Sequence, residues 1–409
     1  MHKRLHIGVF LENHTRQGGA FQQSITTIKA LEQGLSNVKV IVLTPFKANI
    51  DLLRSMGFIA EIYSAGWIGK IDELQASSPL LFYFTTLFRR LGFSKFGRNL
   101  DAKLADLGID IAFFSNYTTA QRLSDHPYIV TVWDLCHLDL PEFPGVSLGR
   151  EFERLELSMR NVLTKATAVI VNCKSEASRI EQAYHVDSRR IICLPFRPSI
   201  FALNHAGGKR VVNLADVKRR YKLPNDYIFY PAQLCADKNH VYVIDALVAL
   251  EKIYGHRIHA VFSGSNNGNQ NYLERYAEIN GLKQRIHFLG FVDNEEVPAI
   301  YDGAIALSMP TYCGPTNLPP LEAALLGCPV LYSDLPEWRE FMKDAALYCD
   351  LKNPVSMATH IHNLISDPLL RLSVTEVGKK FAAEIVHNDY ASLLQPIFDD
   401  FSYKRRRWE

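Results

Sequence analysis

Short apolar runs alternate with amphipathic stretches along almost the whole chain. Leu5–Leu11, Val38–Thr44, Phe58–Tyr63, Ile109–Ser115, Ile129–Trp133, Ala168–Asn172 and Ile191–Pro195 read as buried strands, with helices Phe21–Gln33, 148–165 and Lys174–Tyr184 among them. A polar stretch at 197–225 interrupts the rhythm, and an interdomain linker is expected near 198–210. The pattern then resumes. Strands are expected at Tyr227–Pro231, His259–Ser263, Arg285–Leu289, Ala304–Met309, Cys328–Tyr332 and Ala346–Asp350. Helices are expected at Val241–Tyr254, Glu295–Tyr301, Asp334–Lys343 and from Pro354 to Ile385. Strands bounded by helices argue for two parallel, doubly wound sheets. The reading is α/β, with domains at 1–200 and 201–385 and a last helix in 386–409 that returns to the first domain.

The most informative stretch is AIALSMPTYCGPTNLPPLEAALLGCPVLYSD, residues 304–334. A strand ends at Pro310, a loop of small and polar residues follows, and Pro319 and Pro320 suit the first turn of a helix. Gly327 is expected to stop that helix and Asp334 to cap the next. Such a turn presents backbone amides at the positive end of a helix dipole, a setting for a diphosphate. Glu322 is expected in the first turn, where its carboxylate would accept hydrogen bonds from sugar hydroxyls. Three other stretches carry candidate chemistry. Gly18 and Gly19 stand between the first strand and helix, where glycine permits close approach to a ligand. Asp134, His137, Asp139 and Glu142 crowd the carboxyl end of a buried strand, the ligand side of such sheets. Lys238 follows Tyr227–Pro231 in AQLCADKNH and offers a point charge for phosphate.

Taken in order, these stretches resemble the family 4 glycosyltransferases, retaining enzymes of the GT-B fold. Leu318, Pro319, Leu321, Glu322, Ala323, Gly327, Pro329, Val330 and Asp334 fall on that family's signature. Its first glutamate is replaced by Gly314. The family's Arg-Leu-x-x-x-Lys-Gly becomes Gln233 through Lys238-Asn239, and its His-Asp becomes Trp133-Asp134, followed by Pro141-Glu142. The resemblance implies two Rossmann-like domains facing across a cleft and transfer of a hexose from a nucleotide sugar with retained configuration. It implies a ribose contact for Glu322, and charge on the leaving diphosphate held by Lys238 and the amides near Thr316–Leu318. Gln233, Asn239, Asn317 and Phe291 would complete the donor contacts, with His240 and Asn239 as substitutes for the absent arginine. Gly18 and Gly19 would face the diphosphate, and Asp134 and His137 the transferred sugar, with His137 taking the missing histidine's role. No metal or other cofactor is expected. The spelling of the motifs looks like bacterial enzymes of surface-polysaccharide synthesis, such as mannosyl- or rhamnosyltransferases. Two other readings stay open: a nucleotide-sugar epimerase of the same fold, and a non-catalytic nucleotide-sugar-binding scaffold subunit.

Composition narrows the partners. At 409 residues, 47% hydrophobic and 22% charged, the chain is globular and long enough for two cores. A net charge of +2 gives no global attraction to nucleic acid. Seven cysteines without a Cys-x-x-Cys pair read as reduced thiols of a cytoplasmic protein. No stretch reads as a signal peptide or a spanning helix. Residues 79–98 and the tail 404–408 combine aromatic and basic side chains, which suits peripheral contact with the inner face of a membrane or with a lipid-linked acceptor.

Overall fold

The computed structural model describes residues 4–12, 19–63, 98–116, 121, 124–209, 212–314 and 317–408. Gly18, Thr316 and nearly all of the 79–98 segment lie outside these residues. The chain forms two compact units. The N-terminal unit comprises Met1–His137, Arg150–Pro195 and Asp389–Glu409; the C-terminal unit comprises Leu138–Gly149 and Phe196–Asn388.

The N-terminal unit is built on a seven-stranded sheet: β1 Leu5–Phe10, β2 Val38–Thr44, β3 Ala60–Ile62, β4 Ile111–Phe114, β5 Tyr128–Thr131, β6 Ala168–Val171 and β7 Ile191–Cys193. Its order is β3-β2-β1-β4-β5-β6-β7. Every pairing is parallel. Strands β4, β5 and β6 are buried along their whole length, as expected of strands covered on both faces. The C-terminal unit carries β8 Tyr227–Pro231, β9 His259–Ser263, β10 Ile286–Phe288, β11 Leu307–Met309, β12 Val330–Ser333 and β13 Leu347–Cys349. Their order is β10-β9-β8-β11-β12-β13, again parallel, the order of a dinucleotide-binding sheet. Both sheets reverse direction beside their first strand, between β1 and β4 and between β8 and β11. The carboxyl ends of those strands are where such sheets take ligands.

Several expectations need correction. The stretch expected to be a linker is helical. Ile200–Ala206 is capped by Ser199, whose hydroxyl accepts from the Ala202 amide at 3.2 Å, and Ala202 and His205 are buried. Asp334 does not cap the next helix, whose N-cap is Leu335; its carboxylate instead pairs with Arg339, Nη2 to Oδ2 at 2.8 Å. The expectation of reduced thiols holds for Cys173, Cys193, Cys235, Cys328 and Cys349. It does not extend to Cys136 and Cys313. Among the described residues no helix is long and apolar enough to cross a membrane.

The final helix, Tyr390–Arg405, lies against the helix Gly19–Gly34 within the N-terminal unit. Gln395 accepts from the Ser36 amide at 3.1 Å, and Arg405 is paired with Asp110. Gly34 ends its helix without a positive φ, so it does not serve as a left-handed stop. Its value is its size: a Cβ there would meet the Ala391 Cβ at 2.8 Å. Gly34→Ala is expected to destabilise the protein by about 1–3 kcal/mol, the usual cost of overpacking. Urea unfolding measures this, and an unchanged midpoint would show that the two helices separate at no cost.

Candidate nucleotide-binding site

The C-terminal unit brings the Lys238 stretch and the start of the helix Leu318–Leu326 together at its sheet's reversal point. Lys238 ends a short 3₁₀ turn, Ala236–Lys238, after β8; the Thr311–Gly314 loop follows β11. Two hydrogen bonds stitch them: the Tyr312 amide to the Asp237 carbonyl at 2.8 Å, and the Thr311 hydroxyl to the same carbonyl at 3.2 Å. Tyr230, inside β8, donates its phenol to the Lys238 carbonyl at 2.8 Å. The position of Lys238 is therefore set from below and from the side.

Lys238 is one-fifth exposed and its ammonium lies 3.1 Å from Asp237. Burial alone would push the Asp237 carboxyl up, but the Lys238 charge and hydrogen bonds from Cys235 and Lys238 hold it below the usual range. Asn239 has a left-handed backbone, φ 55°, at the N-cap of the helix His240–Tyr254. The signature has glycine at this position, and asparagine is the commonest other residue to accept that conformation. Asn239 Nδ2 is buried without a hydrogen-bond partner, as are both ring nitrogens of His240.

His240 cannot replace the missing cation. It is fully buried, stacked on Tyr230 at 4.6 Å and edge-on to Phe262 at 4.9 Å. Burial, reinforced by the Lys238 charge, pushes its pKa down to about 3, so the ring is neutral at any working pH. Gln233, in the arginine's place, is exposed and accepts from Asn267 Nδ2 at 3.0 Å. Beside it, Gly264 (φ 144°) fits only as glycine, because a Cβ would lie 2.3 Å from the Ala232 carbonyl oxygen.

The helix start is less generous than its sequence suggests. Asn317 is the N-cap, but its side chain makes no cap bond; Nδ2 donates to the Gly314 carbonyl and to the Tyr332 hydroxyl, the latter at 2.9 Å. Leu318 is the first helical residue, and Pro319 and Pro320 follow. Both prolines lack an N–H, so two of the four amides that a helix tip normally presents are absent here. Gly314 has φ 93°, and a side chain there would be strained and would crowd Asn317. A glutamate at that position would not recover the signature's geometry.

Glu322 is the fifth helical residue, one turn deeper than expected. It is buried, and its carboxylate accepts from the Ser199 amide at 3.3 Å. Burial pushes its pKa up, against the pull of hydrogen bonds from Ser199. Phe291, at 37% exposed, stands beyond β10 on the carboxyl side and is not a core residue.

Of the remaining candidates, Gly19, Asp134 and His137 belong to the N-terminal unit, and Asp139 and Glu142 to the C-terminal unit. Gly19 opens its helix and is exposed. Asp134 is half-buried beyond β5 and accepts from the Cys136 amide at 3.1 Å, a local turn. His137 is buried; its Nε2 lies 3.2 Å from Glu156 and 3.1 Å from the Tyr184 hydroxyl. Burial would raise the Glu156 carboxyl, but Tyr184, His137 and Arg160 together hold it low. That network occupies His137 inside its own unit. Sequence reasoning missed Tyr230 and Thr311, whose side chains help to hold Lys238's turn. A tyrosine inside a buried strand and a threonine beside a proline carry no motif.

The family model described as "Glycosyl transferases group 1" matches residues 216–381. The O-antigen chain mannosyltransferase B of Escherichia coli is 23% identical over 251 residues, 61% of this chain and 64% of that protein. The chain spans less than two thirds of the length of the curated relatives it matches first, at 39%, 64% and 60%. Among solved structures, sucrose-phosphate synthase from Thermosynechococcus elongatus is similar with a TM-score of 0.69, at 17% identity, covering 99% of each chain. Anabaena HepE in complex with UDP-glucose is similar with a TM-score of 0.68, at 15% identity, covering 98% of this chain and all of that one. The shared fold is GT-B.

Proposed function

We propose, from the premise that residues 216–381 form a group 1 glycosyl transferase domain on a GT-B fold, that this protein is a retaining glycosyltransferase. It moves a hexose, with mannose or a deoxyhexose such as rhamnose favoured, from a nucleotide-diphosphate sugar to a glycan or lipid-linked acceptor. Its setting is bacterial surface-polysaccharide synthesis, at the inner face of the membrane. One observation carries the reading: the Lys238 turn is hydrogen-bonded to the loop that leads into the helix Leu318–Leu326, at the reversal point of the sheet.

That arrangement suits a pyrophosphate. Lys238 supplies a full charge; the helix start supplies a dipole and the amide of Leu318; Glu322 lies one turn in and would take the ribose hydroxyls. Phe291 offers an exposed ring to the base. Charge growing on the leaving diphosphate is met by fixed groups, so no metal is required. Asp134 is kept as a sugar contact, and His137 is left out because its ring is already engaged.

A panel of nucleotide sugars, screened by thermal shift, tests the reading. One donor should raise the melting temperature in the wild type, and raise it by less in Lys238→Ala. With that donor and a lipid-linked oligosaccharide acceptor, the product should keep the donor's anomeric configuration. Turnover of donor without acceptor would replace transfer by epimerisation; a shift with no turnover under any acceptor would make the protein a binding subunit.

A further inference from the structure

The N-terminal unit contains a cavity that the proposed transfer reaction does not use. It has a volume of about 920 Å³, within the range of small-molecule sites. Leu5 and Val38 line it at the first residues of β1 and β2, and Asp110 lines it just before β4. It therefore opens at the amino edge of the sheet, the opposite edge from Gly19 and Asp134. Its other wall is the last helix, through Gln395, Phe398, Asp399, Tyr403, Arg405 and Arg406.

The charges are arranged for an anion. Three arginines, Arg4, Arg405 and Arg406, meet two aspartates, Asp110 and Asp399. Asp110 is already committed: one oxygen is paired with Arg405 and the other accepts the His6 amide at 2.7 Å. Asp399 accepts from Gln395 at 2.9 Å. Arg4 donates to the Val38 carbonyl at 3.0 and 2.9 Å, and Arg406 to the Ser402 carbonyl at 3.4 Å. These acceptors are neutral and take only some of the five N–H donors each guanidinium carries. Two guanidiniums from different ends of the chain thus line one cavity, with an aromatic side chain, Tyr403, beside them. Fork-shaped donors of this kind match phosphate oxygens.

We infer that this cavity binds a phosphate-bearing ligand through Arg4 and Arg406. The phosphate has two sources: a small soluble phosphate ester, or a phospholipid headgroup. Exposed Tyr403 and Trp408 lie with Lys404 and Arg407 at the same end of the helix, as a membrane surface would require.

The test uses the full chain, with glycerol 3-phosphate followed by calorimetry and with phosphatidylglycerol vesicles followed by co-sedimentation, phosphatidylcholine vesicles serving as the blank. Arg406→Gln should weaken binding at least tenfold, and Asp399→Asn should tighten it. Arg407→Gln, which removes an equal charge outside the cavity, should cost no more than about fivefold. Glycerol 3-phosphate binding with this pattern identifies a soluble ligand; vesicle binding alone with this pattern identifies a headgroup. Equal losses in Arg406→Gln and Arg407→Gln reduce the effect to general charge and overturn the cavity. Absence of binding to both probes overturns it too, as does binding abolished by Lys238→Ala but kept by Arg406→Gln.

Discussion

Lys238→Ala is expected to lower kcat for sugar transfer by roughly 10²–10³, with a smaller rise in the donor KM. The asymmetry follows from what the site lacks. Gln233 has replaced one cation, His240 is buried and neutral, and two prolines remove amides from the helix tip. Among the described residues Lys238 is left as the cation of the proposed site, where a diphosphate would gain charge as the sugar departs. A group that meets charge formed in the transition state contributes more to kcat than to ground-state binding. The ammonium is also shared with Asp237 at 3.1 Å, which weakens its hold on the resting donor. Lys238→Arg should recover only part of the rate, because a planar fork does not fill the place of a compact ammonium held by this turn. Steady-state kinetics at saturating acceptor separate the two constants. A Lys238→Ala enzyme with normal kcat and raised KM would make Lys238 a binding residue only.

The fold was legible in the sequence because parallel strands buried on both faces leave continuous apolar runs. Tyr227–Pro231, His259–Ser263 and Lys174–Tyr184 match the expected bounds residue for residue. What misled was polar sequence with hidden structure. Ser199 starts a helix by capping it, and the packing of Ala202 and His205 has no long-range pattern to announce it. The candidate site was legible in part. Lys238 and the 311–322 stretch could be named from their turns, since loops after β8 and β11 must adjoin in this strand order. Their real contacts could not: the Tyr312 amide to Asp237 bond is backbone chemistry, and the sequence of a loop does not record its hydrogen bonds. Burial was the other blind spot. Nothing in Lys-Asn-His distinguishes a partly exposed lysine from the histidine two positions on, which lies wholly inside.

Glu322→Gln is expected to stabilise the free protein and to weaken donor binding at once. Burial raises the Glu322 carboxyl above its ordinary range, so the folded chain holds that proton more tightly than the unfolded chain. The stability this proton confers is complete below the unfolded pKa and is lost as pH rises through the folded value. Wherever the carboxyl is ionised it is a buried carboxylate whose hydrogen bond to the Ser199 amide is a long one, 3.3 Å. Glutamine keeps an acceptor for that amide and removes the charge, which should add about 1–3 kcal/mol at any pH above the folded value and flatten this part of the pH dependence. A charge retained at such a cost has a use only when something pairs with it, and ribose hydroxyls would do so. Losing charged hydrogen bonds of that kind costs about 1.5–3 kcal/mol, or at least tenfold in donor affinity. Melting curves between pH 4 and 8 and donor titrations measure both effects on one variant. Lower stability with unchanged affinity would assign the carboxylate to the anchoring of Ser199 and take the ribose away from it.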